Sequence, residues 1–234
     1  MTLRFALLCF PNVQLLDLTG PYEVFAGARG AEVHLLWKTC APVRSSSGLW
    51  LTPDMTFAEA PDFDVICVPG GGGVNALLND DTVLAFLRDK AARARFVTSV
   101  CTGALVLGRA GLLTGRRATT HWNAMDLLAG LGAVPTEGRV VRDGPVITAG
   151  GVTSGIDFGL AIIAELLGRD EAEVIQLSLE YAPAPPFDSG QPTRARPEIL
   201  AEARRRAATA RAEREALMAS CRCPGFDQPG LPVQ

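Results

Sequence analysis

The stretch Phe96-Val97-Thr98-Ser99-Val100-Cys101-Thr102-Gly103-Ala104-Leu105-Val106-Leu107 decides the fold. Residues 96–100 are a short run of apolar and β-branched side chains, as expected for a strand covered on both faces of a sheet. After a turn, residues 104–107, with Leu112 and Leu113 beyond them, supply an apolar helix. A strand that turns sharply into a helix leaves the turn residue at the carboxyl edge of the sheet, where open α/β folds bind ligands. Cys101 is that residue, and Gly103 gives the backbone the freedom so tight a turn requires.

The same alternation recurs on either side. Residues 3–10 are apolar apart from Arg4 and end at Pro11-Asn12, and residues 31–37 read as a second strand. Between them, Gly20-Pro21 opens a helical segment that runs through Phe25, with proline near the first helical position. Residues 64–69 form a third apolar strand that runs into Gly70-Gly71-Gly72-Gly73, ahead of a helix carrying Val83, Leu84 and Leu87. Residues 139–148 read as a hairpin about Asp143-Gly144, and residues 152–167 as a long, largely buried helix. Strands alternating with helices predict a doubly wound, mostly parallel α/β sheet flanked by helices.

From residue 182 the composition shifts. Prolines at 183, 185, 186, 192 and 197 break regular structure, and a helix rich in Ala, Arg and Glu follows over about 198–219. The expected organisation is an α/β domain over 1–190, with residues 191–234 forming an appended C-terminal helix and tail. The chain has 234 residues, 48% of them hydrophobic and 20% charged, ample for one large core. A net charge of −3 provides no basic excess for nucleic acid. No apolar run approaches the roughly 20 residues that span a bilayer, and no leader-like segment opens the chain, so the expectation is a cytoplasmic protein without nucleic-acid or membrane partners. The cysteines at 9, 40, 67, 101, 221 and 223 do not suggest a disulfide framework, because Cys9 and Cys67 sit inside apolar strands.

The helix amino terminus behind Cys101 carries partial positive charge and free N–H groups, which predicts a bias toward thiolate, the reactive form. On these residues alone, Cys101 is equally a nucleophile or a buried structural cysteine.

Val68-Pro69-Gly70-Gly71, then Ser99-Val100-Cys101-Thr102-Gly103-Ala104, then Ala118-Thr119-Thr120-His121-Trp122 resemble the ThiJ/PfpI superfamily, over about residues 1–190. The resemblance implies the flavodoxin-like, class I glutamine-amidotransferase-like fold. The stretch Phe10-Pro11-Asn12-Val13-Gln14-Leu15-Leu16-Asp17-Leu18-Thr19-Gly20-Pro21 is similar to that of the isonitrile hydratases within the superfamily. This implies hydration of a small-molecule isonitrile to an N-substituted formamide by a homodimer, with no cofactor and no metal. The hydratases' loop aspartate, elbow cysteine and following threonine match Asp17, Cys101 and Thr102. Many relatives carry a glutamate beside the cysteine, or a histidine directly after it. Thr102 occupies that second position here, which argues against a cysteine–histidine dyad.

For Asp17 to act as an acid near neutral pH its pKa must rise, and Leu15, Leu16 and Leu18 predict burial. Its bland alternative is capping of the helix near Pro21. Gly71 and Gly72 are candidate substrate-binding residues through backbone donors, with an ordinary tight turn weighing equally. His121 either lines the pocket or satisfies a backbone group, while Trp122 and Tyr22 are core or pocket wall. Cys221-Arg222-Cys223 lacks the second ligand pair of a tetrahedral zinc site. Arg204-Arg205-Arg206 reads as a solvated face, with a dimer contact as the sharper alternative. A ligand-sensing module is disfavoured by the absence of a basic recognition helix, and a glyoxalase- or deglycase-like carbonyl-stress protein by Asp17 in its own motif.

Overall fold

The computed structural model describes residues 2–219. Seven strands form the central sheet: β1 (Leu3–Leu8), β2 (Ala31–Trp37), β3 (Met55–Thr56), β4 (Val65–Val68), β5 (Phe96–Val100), β6 (Val140–Asp143) and β7 (Val146–Ala149). Their order is β6-β7-β5-β4-β1-β2-β3, parallel throughout except for β6, which is antiparallel to β7 as the far arm of the hairpin about Asp143-Gly144. The doubly wound α/β expectation therefore holds. β1, β4, β5 and β7 are almost wholly buried, the pattern of parallel strands covered on both faces.

The helices are α1 (Leu15–Ala26), α2 (Val74–Leu77), α3 (Asp81–Ala91), α4 (Gly103–Arg109), α5 (Ser154–Leu167), α6 (Arg169–Ser178) and α7 (Pro197–Ala219). None among the described residues is long and apolar enough to cross a membrane. The expected helix after the glycine run is two pieces, α2 and then α3. Leu112 and Leu113 lie beyond the end of α4, past a left-handed Gly111.

Sequence reading places the start of the first helix at Gly20-Pro21, and the structure corrects this. α1 begins at Leu15 and encloses Pro21. A proline inside a helix costs about 3 kcal/mol or more, and close packing of α1 on α5 is the compensation. A Cβ at Gly155 of α5 would lie 2.9 Å from Pro21 Cδ, and one at Gly159 would lie 3.0 Å from Val24 Cβ. Small residues on α5 thus bring the two helices together around Phe25, which stacks on Phe5 at 4.4 Å and meets Phe158 edge-on at 5.8 Å. Asp17 consequently sits in the first turn of a helix, not in a loop.

At the start of α4, a Cβ on Gly103 would run into the backbone carbonyl oxygen of Val68 and stand 2.8 Å from that of Pro69. Backbone cannot yield as a flexible side chain can. Gly103→Ala is expected to destabilise the protein by about 1–3 kcal/mol or more, read as a lower denaturation midpoint; an unchanged midpoint would contradict this account of the elbow.

Candidate active site

Three chain segments meet at the carboxyl edge of the sheet. The first is the elbow between β5 and α4. Cys101 has φ +54°, a left-handed backbone that non-glycine residues adopt at a cost. Both its backbone groups are tied: its N–H donates to Ala149 O at 3.0 Å, and its carbonyl accepts from Thr120 Oγ1 at 2.7 Å. Neighbours on two other segments thereby hold the strained turn in place.

The second segment is the first turn of α1, which delivers Asp17. The residue is fully buried. Its Oδ2 accepts the Gly70 N–H at 2.9 Å, while Oδ1 has no hydrogen-bond partner among the described residues. Of the leucines expected to bury it, Leu18 lies in the core, whereas Leu16 is 39% exposed. Asp17 does not cap the helix.

The third is the glycine loop after β4. The Gly71 N–H donates to Thr102 Oγ1 at 3.2 Å. A Cβ at Gly70 would lie 2.7 Å from Asp17 Oδ2, from Thr102 N and from Thr102 Oγ1 alike, so this glycine is the point where acid, threonine and elbow converge. The loop is fastened to the chain ahead of α1 by Gln14 N–H to Gly70 O at 2.9 Å and Gly73 N–H to Asn12 O at 3.1 Å. Sequence reading selects Gly71 and Gly72 and passes over Gly70, the position with the tightest contacts to the acid. Gly71 spends its N–H on Thr102, and Gly72 is exposed.

The electrostatics follow from burial. Removal from water pushes Asp17 up to about 7, against the lowering effects of the Gly70 N–H and of the Cys101 thiol that faces it. Burial first, and the Asp17 charge second, push the Cys101 thiol far above its ordinary value. The N–H and hydroxyl of Thr102 act in the opposite direction and favour the thiolate. They do not win. The helix terminus was expected to make Cys101 a thiolate, and the correction is that the resting residue is a thiol beside a carboxyl that titrates near neutrality. A helix terminus contributes only about 0.3–1 kcal/mol at ordinary exposure, less than the burial of a sulfur anion costs. Near neutral pH the pair holds a proton on sulfur and shares a second equilibrium at Asp17.

His121 lies at the edge of this group. Its Nδ1 accepts the Asn123 N–H at 3.3 Å, capping the 3-10 helix Trp122–Leu127, and burial lowers its pKa. It thus satisfies a backbone group. Trp122 and Tyr22 are half-buried, Tyr22 against the core. Arg205 and Arg206 are solvated and paired with Glu202, while Cys221-Arg222-Cys223 lies outside the described residues. One neighbour escaped sequence reading altogether: Arg214 of α7, 7% exposed, donates from Nε to Asn75 Oδ1 at 2.9 Å. The only sequence signal was its place on an Ala-, Arg- and Glu-rich helix, which reads as solvated throughout.

Residues 3–165 match the DJ-1/PfpI family. The chain belongs to that family. Among its relatives is an isonitrile hydratase of Pseudomonas putida, 59% identical over 208 residues, which are 89% of this chain and 91% of that protein. Among solved structures, a ThiJ/PfpI family protein from Pseudomonas syringae superposes with a TM-score of 0.90 at 43% identity, covering 93% of this chain and 91% of the other. DJ-1beta of Drosophila melanogaster gives a TM-score of 0.71 at 25% identity over 78% of this chain and all of that one. The DJ-1beta match leaves about a fifth of this chain uncovered, whereas the two Pseudomonas proteins match most of it.

Proposed function

We propose that the chain is an isonitrile hydratase, converting an isonitrile and water to an N-substituted formamide, with Cys101 as nucleophile, Asp17 as general acid and base, and Thr102 as their partner. The observation that carries the reading is the buried Asp17 carboxyl facing the Cys101 thiol, its Oδ1 without a hydrogen-bond partner in the geometry of the described residues, in a chain 59% identical to an isonitrile hydratase over 89% of its length.

The terminal carbon of an isonitrile is a base until protonated and an electrophile afterwards. It therefore calls for an acid and a nucleophile together. The Cys101 thiol gives its proton to the Asp17 carboxylate. Asp17 passes that proton to the isonitrile carbon as the sulfur attacks, forming the C–S bond of a thioimidate. Asp17, again a carboxylate, takes a proton from water as oxygen adds to the same carbon, and the proton goes to nitrogen. Breaking the C–S bond then releases the formamide while the hydroxyl proton returns to sulfur through Asp17. One isonitrile and one water are consumed, and the enzyme is regenerated. Thr102 supports the sulfur's charge: its Oγ1 accepts from Gly71, which leaves its own hydrogen free to donate. Gly72 and His121 are assigned to substrate binding beside this group, and the active species is a homodimer.

The deciding experiment offers the protein a simple alkyl isonitrile and, separately, methylglyoxal, and follows formamide and lactate. Formamide alone is expected. Lactate alone would replace the reading with carbonyl-stress chemistry, and neither product would overturn it in favour of a sensor.

A further inference from the structure

Among the described residues, the 23 of α7 include one that is buried, Arg214. A helix kept for the core lays an apolar stripe on its neighbours. This one presents mostly Ala, Arg and Glu, and it lies outside residues 3–165, which match the DJ-1/PfpI family. Its side-chain hydrogen bonds to the rest of the protein fall on two short segments, and each segment leads to one half of the active site.

The first segment is α2. Asn75 turns both ends of its amide to α7: Nδ2 donates to Ala210 O at 3.3 Å and to Glu213 Oε2 at 3.4 Å, and Oδ1 accepts from Arg214 Nε at 2.9 Å. α2 is hydrogen-bonded into the glycine loop, Val74 N–H to Gly71 O at 3.3 Å and Ala76 N–H to Gly73 O at 3.1 Å. That loop gives its Gly70 N–H to Asp17 and its Gly71 N–H to Thr102. The second segment is the 3-10 helix Trp122–Leu127. Arg211 takes the Asp126 carboxylate with both terminal nitrogens and donates to Asn123 O as well. Asn123 N–H donates to His121 Nδ1 at 3.3 Å, and Thr120, the residue before His121, donates to the Cys101 carbonyl at 2.7 Å. α7 is thus joined to the acid half and to the cysteine half by unbroken runs of hydrogen bonds and peptide bonds.

We propose that α7 is a brace for the active site, with Asn75 and Arg211 as its positioning residues, which keep the glycine loop and the Thr120–His121 segment from spreading and so hold the Asp17 carboxyl against the Cys101 thiol. The four glycines of the loop have no side chains of their own to hold it. The Arg211 fork on Asp126 fixes direction as well as distance. Asp126 is 68% exposed on its side chain, so the pair contributes little to stability, and its effect is on where the segment lies. The proposal rests on Asp17 and Cys101 being the reacting pair of the hydratase. Spreading the two halves lengthens the path of the proton between sulfur and carboxyl, which lowers kcat more than it raises KM. It also admits reagents to Cys101, which is 6% exposed with the brace in place.

The test uses the full-length protein and two readouts: formamide kinetics with a simple alkyl isonitrile, and the rate of Cys101 alkylation by iodoacetamide at one pH, assigned by peptide mass mapping because other thiols are present. Asn75→Ala and Arg211→Met are each expected to lower kcat about tenfold with KM within about threefold. Each should also speed alkylation of Cys101 about tenfold, as burial is relieved, while the thermal midpoint moves by no more than about 4 °C. Arg211→Lys keeps the charge and loses the fork, so it should follow the methionine variant. Arg205→Met, on the exposed face of the same helix, should overlay the parent. Should Arg211→Met fail to fold, Asp126→Asn loosens the same fork from its exposed side. Parent-like alkylation or a parent-like kcat in the folded variants overturns the proposal, and so does a parent-like Arg211→Lys, which would leave Arg211 a charge effect alone. If the parent itself makes no formamide the hydratase reading falls, and the alkylation rates still decide whether α7 holds the two halves together.

Discussion

Asp17→Asn is expected to abolish formamide production and, above neutral pH, to make the protein more stable than its parent. The loss of turnover, at least about 10³-fold, follows because an amide can neither receive the thiol proton nor return it to carbon. The gain in stability follows from burial. Asp17 titrates at about 7 in the folded protein against an ordinary 3.8. A group whose folded pKa is raised contributes its full stability below the unfolded value and loses it as pH rises through the folded one. The parent therefore weakens between about pH 4 and pH 7, by up to ~4 kcal/mol at ~1.4 kcal/mol per unit. Asparagine, which can still accept the Gly70 N–H, does not. Chemical denaturation of both proteins across this range should show a gap that opens with pH and then levels off. A gap independent of pH would mean that the carboxyl is not held out of water as described. In the parent, kcat/KM should rise with pH through about 7, because protonating Asp17 leaves the pair with one proton too many to start the reaction.

The second large effect belongs to Cys101→Ala. No hydroxyl or thiol remains to form the covalent thioimidate, and turnover should fall by at least about 10³-fold. Folding should survive, because Ala149 O and Thr120 Oγ1 hold the backbone of residue 101 and not its side chain. The expected change in stability is below about 1–2 kcal/mol, the scale of losing one small buried group. Substantial formamide production by the alanine variant would favour direct activation of water by Asp17, with the sulfur a bystander.

How far the sequence could be read depended on whether neighbours along the chain or neighbours in space decided the outcome. The elbow at 96–107, the apolar strand into Gly70-Gly71-Gly72-Gly73 and the hairpin about Asp143-Gly144 are local patterns, and all three stand in the structure as read. The start of α1 was misplaced because Pro21 obeys a local rule that its contact with Gly155, 134 positions away, overrides. α6 was missed because the face it buries is small, with Glu171 held by Arg29 at 2.8 and 3.0 Å in place of an apolar stripe. The protonation state of Cys101 was read from the helix behind it, yet the burial and the carboxylate that decide it come from other segments. Arg214 presents no local sign at all that it leaves the solvent.

The glycine loop has one more implication, for the fate of the product. Gly70 and Gly71 give their N–H groups to Asp17 and Thr102. In enzymes that cleave amides, backbone donors near the nucleophile are left open to bind the oxyanion of the tetrahedral intermediate. Here the two amides beside the acid and the threonine are already occupied. A formamide is itself an amide, and a site that has committed these donors to its own side chains gives it little help toward hydrolysis. The same hydrogen bonds that arrange the acid and the thiol thereby let the product leave intact.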